Sequence, residues 1–234
     1  MPNKFEPIGE RIWCGRFDLK VFGAPLGKRT TVMQLSDGGL VVHSAAPFST
    51  ADARALREIG EPRWLLECSR AHDTFAQRLR KLFPEATYVI PPKFPLTRDA
   101  LAPASPWSGE LPAGWKGEIE VQRIGGIPLL DEHAVYHGPS RTLILSDLVF
   151  NLSIPDGERI PFFLRWVSGI TSFPATSRLI RMLVRDRAAL KASLESMLAW
   201  DFERVVVGHG EMIVEHPRVT LGRVLDWSGI DQVP

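Results

Sequence analysis

Three apolar, strand-like runs in this chain end on residues whose side chains bind metal ions. Trp64-Leu-Leu-Glu67 runs into Cys68-Ser69-Arg70-Ala71-His72-Asp73, Thr142-Leu-Ile-Leu-Ser146 ends on Asp147, and Arg204-Val-Val-Val207 runs into Gly208-His209-Gly210. In layered folds of strands and helices, sites collect beyond the carboxyl ends of strands, where the following loops open. Two imidazoles and one carboxylate gathered there make a donor set that suits zinc, iron or manganese. The glycines around His209 free the backbone to turn and bring the ring inward. Each residue also has a plain structural reading. His72 can be a polar residue in a first helical turn, Asp147 an N-cap, and His209 a loop histidine bonded to a backbone carbonyl.

The elements that must position these residues read as strand and helix in alternation, the pattern of an α/β fold. Arg11–Cys14, Thr31–Leu35 and Leu40–His43 are strand-like, the last two joined by the turn Ser36-Asp-Gly-Gly39. Ser49 caps a helix that runs to Ile59 and stops at Gly60; Asp52 stands at the capping-box position usually held by Glu or Gln. Trp64–Glu67 is a strand, His72–Phe83 a helix ended by Pro84, and Tyr88–Ile90 a strand. About 91–117 reads as one long surface loop. Strands follow at Ile119–Arg123, Ala134–His137 and Thr142–Ser146. The segment at about 160–200 is helical, broken near Gly169 and Pro174. A strand at Arg204–Val207 and a helix from about Pro217 to Trp227 close the pattern. Phe162-Phe163-Leu164-Arg165-Trp166 reads as core or pocket wall rather than a membrane surface.

With 28 basic and 27 acidic residues among 234, and 44% hydrophobic content, the chain is globular and nearly neutral. That balance excludes wholesale disorder. It also argues against nucleic acid or an anionic membrane as the main partner, leaving a small-molecule substrate. Cys14 and Cys68 are too few for a disulfide framework, and the first residues hold no apolar leader, so a cytoplasmic protein is expected. A lone Gly-Gly at 125–126 is no dinucleotide fingerprint, and no serine sits in a G-x-S-x-G setting.

The order of elements and the three strand ends resemble the metallo-β-lactamase fold superfamily, from about Ile12 to Glu211. Its signature is His-x-His-x-Asp-His after one strand, a middle His, an Asp after another strand, and a late His often set in Gly-His-Gly. Aligned on its last histidine, the first motif falls on Glu67-Cys68-Ser69-Arg70-Ala71-His72, where only His72 matches. Asp147 is similar to the bridging aspartate and His209 to the late histidine; the middle histidine has no counterpart, although Glu132 and His133 lie nearby. Leu40-Val-Val-His43-Ser44 further resembles a branch with a degenerate metal motif, in which His-Ser replaces the usual Asp-x-Gly.

The resemblance implies a four-layer αββα sandwich, with residues 1–234 as one domain. It also implies a mononuclear centre at His72, Asp147 and His209, zinc first, with Glu67 or Asp73 as a further oxygen donor. The implied activity is hydrolysis of a small ester, thioester, lactone or phosphoester. Asp147 would orient the attacking water or take its proton, and His43 or His133 would serve as acid. Two other readings share the scaffold: a metal-free ligand-binding protein and an iron-binding redox protein.

Overall fold

The computed structural model describes residues 4–95, 104–106, 110–154 and 159–231. In chain order its elements are β1 (Phe5–Gly9), β2 (Ile12–Phe17), β3 (Lys20–Val21), β4 (Ala24–Pro25), β5 (Lys28–Gln34), β6 (Gly39–His43), α1 (Thr50–Ile59), β7 (Glu61–Leu66), α2 (Ala76–Leu82), β8 (Thr87–Ile90), β9 (Ala104–Pro106), β10 (Ile119–Arg123), β11 (His133–His137), β12 (Thr142–Leu145), α3 (Arg178–Met182), α4 (Arg187–Leu198), β13 (Arg204–Val207) and α5 (Pro217–Leu225). One sheet has the strand order β1-β2-β5-β6-β7-β8-β9 and a second the order β10-β11-β12-β13; β3 and β4 form a separate hairpin.

Alternation along the strands makes the layers. Successive side chains of a strand point to opposite faces. In β6, Leu40 and Val42 pack with Leu56 of α1 and Leu79 of α2, while Val41 joins a second cluster between the sheets with Ile144 and Val206. In β12 and β13, Leu143, Leu145, Val205 and Val207 point the other way, against Leu190 and Leu194 of α4 and Leu221 of α5. Helices, sheet, sheet, helices is the expected four-layer αββα sandwich. All three core strands named here carry near-continuous apolar runs because both of their faces are buried.

Local signals decide the boundaries. Ser49 caps α1 and Asp52 returns the bond, so both arms of the capping box form despite the shorter acid. Ser49→Ala is expected to cost about 1 kcal/mol, read as a lower urea midpoint with an unchanged slope. The helix expected from His72 begins only at Ala76, because the His72 amide is spent on a turn to the Ser69 carbonyl (3.1 Å). Strand β1 has no period to mark it, with Pro7 at its centre. Much of the expected 91–117 loop lies outside the described residues. Of the rest, β9 extends the first sheet, and Trp115 is fully buried between the sheets rather than on the surface. The expected helical segment is a short π-helix (Phe163–Val167), then α3 and α4. Leu164 is buried there, but Phe162 and Trp166 are 74% and 63% exposed, so this stretch is only in part a pocket wall. Among the described residues, no helix is long and apolar enough to cross a membrane.

Candidate metal centre

Strands β6, β7 and β8 run parallel, as do β12 and β13. The loops after β6, β7, β12 and β13 therefore open toward one edge of the sandwich. Strand β5 is antiparallel to β6, which brings its start to that same edge. His72, Asp147 and His209 meet there, all buried, with one donor atom from each lying within 4.8 Å of the others.

Each donor is held from behind. His209 Nδ1 lies 2.7 Å from the Gly27 carbonyl oxygen. A carbonyl can only accept, so Nδ1 carries the proton and Nε2 is left facing the centre. His209 is thus both a loop histidine bonded to backbone and a member of the cluster. Its ring stacks on Phe150, 5.4 Å between centroids and 10° from parallel. His72 Nδ1 is 3.1 Å from Ser44 Oγ, and its Nε2 is 3.1 Å from Asp147 Oδ1. Ser44 sits in the left-handed region, with φ 70°, a strained conformation of the kind that collects at functional sites. Ser69 Oγ donates to Asp147 Oδ2 at 2.7 Å, leaving Oδ1 toward both histidines, with His209 Nε2 at 3.3 Å.

The N-cap reading of Asp147 does not hold, because another carboxylate takes that role. Buried Glu132 accepts the amides of Ser146 (2.8 Å), Asp147 (2.9 Å) and Leu148 (2.8 Å). Burial first, then the charge of Asp147, push the Glu132 carboxyl up to about 8, against the pull of those three amides.

The glycines around His209 have separate reasons. A Cβ on Gly208 would lie 2.5 Å from the Ser146 carbonyl oxygen and 3.1 Å from the His72 ring. Gly210 has φ +98°, and a Cβ there would sit 2.1 Å from the Asn151 carbonyl oxygen. Arg29 locks the loop further, its amide donating to the Gly208 carbonyl (2.9 Å) and its guanidinium to the Gly210 carbonyl. Gly210→Ala is expected to destabilise by more than about 2 kcal/mol, through left-handed strain and backbone overlap together. Thermal melting checks it.

The electrostatics set the protonation states that ligation needs. Burial pulls His72 down to about 4, only partly offset by Asp147, so its ring is neutral at neutral pH. Burial raises Asp147, but its interactions with His72 and His209 outweigh that and hold the carboxyl well below its usual range. With the proton of a neutral His209 ring on Nδ1, its Nε2 and Asp147 Oδ1 face each other as two acceptors at 3.3 Å, an arrangement that a cation between them relieves. The donor set fits a divalent ion, and the Gly27, Ser44 and Ser69 contacts are the outer partners that orient ligands in metal sites.

The other sequence candidates stand apart from the three donors. Glu67 is buried, accepts the Ala45 amide through Oε1 (2.7 Å) and leaves Oε2 without a hydrogen bond. Burial pushes its carboxyl up to about 8. His43 is buried beside His72, both ring nitrogens lack a hydrogen-bond partner, and burial pulls it down to about 3. His133 Nδ1 faces the Asp131 carbonyl at 3.1 Å, and its ring is not on the cavity wall. Asp73 lies outside the donor cluster.

A cavity of about 210 Å³ opens on the centre, with Leu19, Val21, Leu26, Phe75 and Phe150 as its apolar wall. Sequence reasoning missed Lys28, which lines it beside the donors and is only 5% exposed. Burial first pulls its ammonium down to about 8, while Glu67, Asp147 and Asp73 pull it back up. A lysine at the start of a strand reads as a solvated end; only the β3–β4 hairpin folding over it makes it a cavity residue.

No protein-family model matches the chain, and neither does any curated protein. Solved structures do. TMB-1 superposes with a TM-score of 0.63 at 15% identity, over 98% of this chain and 100% of that one. DIM-1 metallo-β-lactamase gives 0.62 at 17% identity, over 96% of each chain. The flavodiiron core of Flv1 from Synechocystis sp. PCC6803 gives 0.66 at 12% identity over 96% of this chain, which spans only 60% of that one. With the αββα layers and the strand-end cluster, these superpositions establish that the chain has the metallo-β-lactamase fold.

Proposed function

We propose that this chain is a metal-dependent hydrolase of a small ester, thioester, lactone or phosphoester. His72, Asp147 and His209 would hold a single ion, zinc in the first instance. The observation that carries this reading is the convergence of two imidazole Nε2 atoms on Asp147 Oδ1, with the opposite side of each ligand pinned. Three protein donors with an open position are the catalytic rather than the structural pattern.

A bound ion supplies Lewis acidity and makes water a nucleophile at neutral pH. The residues do the rest. Ser69 and the two histidines fix Asp147, whose Oδ1 orients the attacking water or takes its proton. Phe75, Phe150 and the β3–β4 hairpin exclude bulk water. The cavity is smaller than the roughly 300–1,000 Å³ of drug-sized sites, which favours a small substrate. His43, drawn down to about 3, has no proton to give near neutral pH. Lys28 Nζ, at about 8 and on the cavity wall, is the group that can protonate a leaving oxygen or sulfur.

Elemental analysis of the purified protein tests the reading. Zinc at one ion per chain, lost in His209→Ala while the fold persists by circular dichroism, is the expected result. Iron in its place favours the redox reading, which the donor set of two histidines and one carboxylate also suits. Protein that takes up no metal, even when zinc is supplied, is instead a ligand-binding scaffold.

A further inference from the structure

The segment from Arg159 to Arg187 carries an exposed apolar face that the metal centre does not explain. Phe162 is 74% exposed, Trp166 63%, Met182 69% and Leu179 41%, with Phe22 of the β3–β4 hairpin at 81%. Two contacts tie parts of this stretch together. The Phe22 ring lies 4.8 Å from Phe163, and Arg178, beside Leu179, donates to the Trp166 carbonyl at 2.7 Å. Single exposed apolar residues are ordinary, but several large ones on one short segment and the hairpin it touches mark an interaction surface.

Charge says what covers it. Arg159, Arg165, Arg178, Arg181, Arg185 and Arg187 are all exposed, while Asp186 is the only acid among the described residues of the segment. Asp186 is already committed as the N-cap of α4. A second copy docked through this face would set arginines against arginines. Aromatic and apolar side chains studded with arginine, on a short helical segment lying along the surface, are instead the composition of an element seated at a lipid headgroup boundary. The apolar character also continues inward. Leu164 and Phe163 pack with Leu26 and Val21, and those last two wall the catalytic cavity from its other side.

We propose that this face seats the protein on an anionic membrane surface, with Phe22, Phe162, Trp166 and Met182 entering the headgroup layer and the arginines pairing with lipid phosphates and carboxylates. The near-neutral net charge pointed away from a membrane partner; the arginines are concentrated where the average hides them. Membrane seating does not require the metal centre, so each can fail without the other.

Co-sedimentation with vesicles is the test. The protein is expected to bind phosphatidylcholine vesicles containing phosphatidylserine, to bind pure phosphatidylcholine weakly, and to come off as salt is raised. Phe162→Ser with Trp166→Ser should weaken binding about tenfold or more, and Arg165→Gln or Arg185→Gln about fivefold each. All four side chains are exposed, so these variants should keep the wild-type melting temperature. Absence of sedimentation with anionic vesicles, or equal binding to both compositions, overturns the proposal. So does a dimer in light scattering that the double variant dissolves, since a second copy would then own the face.

Discussion

Glu132→Ala is expected to be the most damaging single substitution in the chain, at about 3–5 kcal/mol of folding stability. The carboxylate takes the amides of Ser146, Asp147 and Leu148, all within 2.9 Å and all buried. Alanine leaves those three donors without an acceptor, and each unsatisfied buried amide costs about 1–3 kcal/mol. Glutamine offers a single acceptor oxygen and turns an NH2 toward the remaining amide, so Glu132→Gln should fall between alanine and wild type. Urea denaturation of the three proteins gives the ordering. A second effect belongs to the site. With Glu132 gone, Asp147 becomes the nearest carboxylate able to cap its own loop, and metal affinity should fall together with stability. Wild-type stability in Glu132→Ala would mean the loop amides find other partners and that Glu132 holds nothing in place.

What could be read from the residues alone was local or periodic. The Ser49–Asp52 box, the Val205–Val207 run and the three strand ends are patterns within a few positions, and they pointed to those elements and to three residues, His72, Asp147 and His209, that the fold brings together. What could not be read depends on contacts distant in sequence. The Gly27 carbonyl that sets the His209 tautomer is 182 residues away. Glu132 caps a loop across a hairpin, and so it was seen only as a neighbour of a missing histidine. Lys28 looks like a solvated strand end until the β3–β4 hairpin covers it. The exposure of Phe162 and Trp166 was missed for the opposite reason: aromatic clustering reads as core, whereas both rings lie on the surface.

The other large effect bears on the proposed ion, and it separates a ligand from its support. Asp147→Asn keeps the shape of the side chain but removes the charge shared between His72 Nε2 and His209 Nε2. Ser69→Ala keeps the charge and removes the 2.7 Å bond that turns Oδ1 toward the histidines, together with a longer 3.3 Å bond accepted from the Ala71 amide. Loss of such an outer partner costs about 10–100-fold in metal affinity; loss of the charged ligand itself should therefore exceed about 100-fold. Competition for zinc against a chromophoric chelator measures both. The expected order is wild type tightest, Ser69→Ala intermediate and Asp147→Asn weakest, with circular dichroism unchanged throughout. Equal affinity for wild type and Asp147→Asn would remove the carboxylate from the centre. The two histidines would then be left as a pair too sparse for a catalytic ion, because two imidazoles without a third protein donor do not complete the three-ligand pattern.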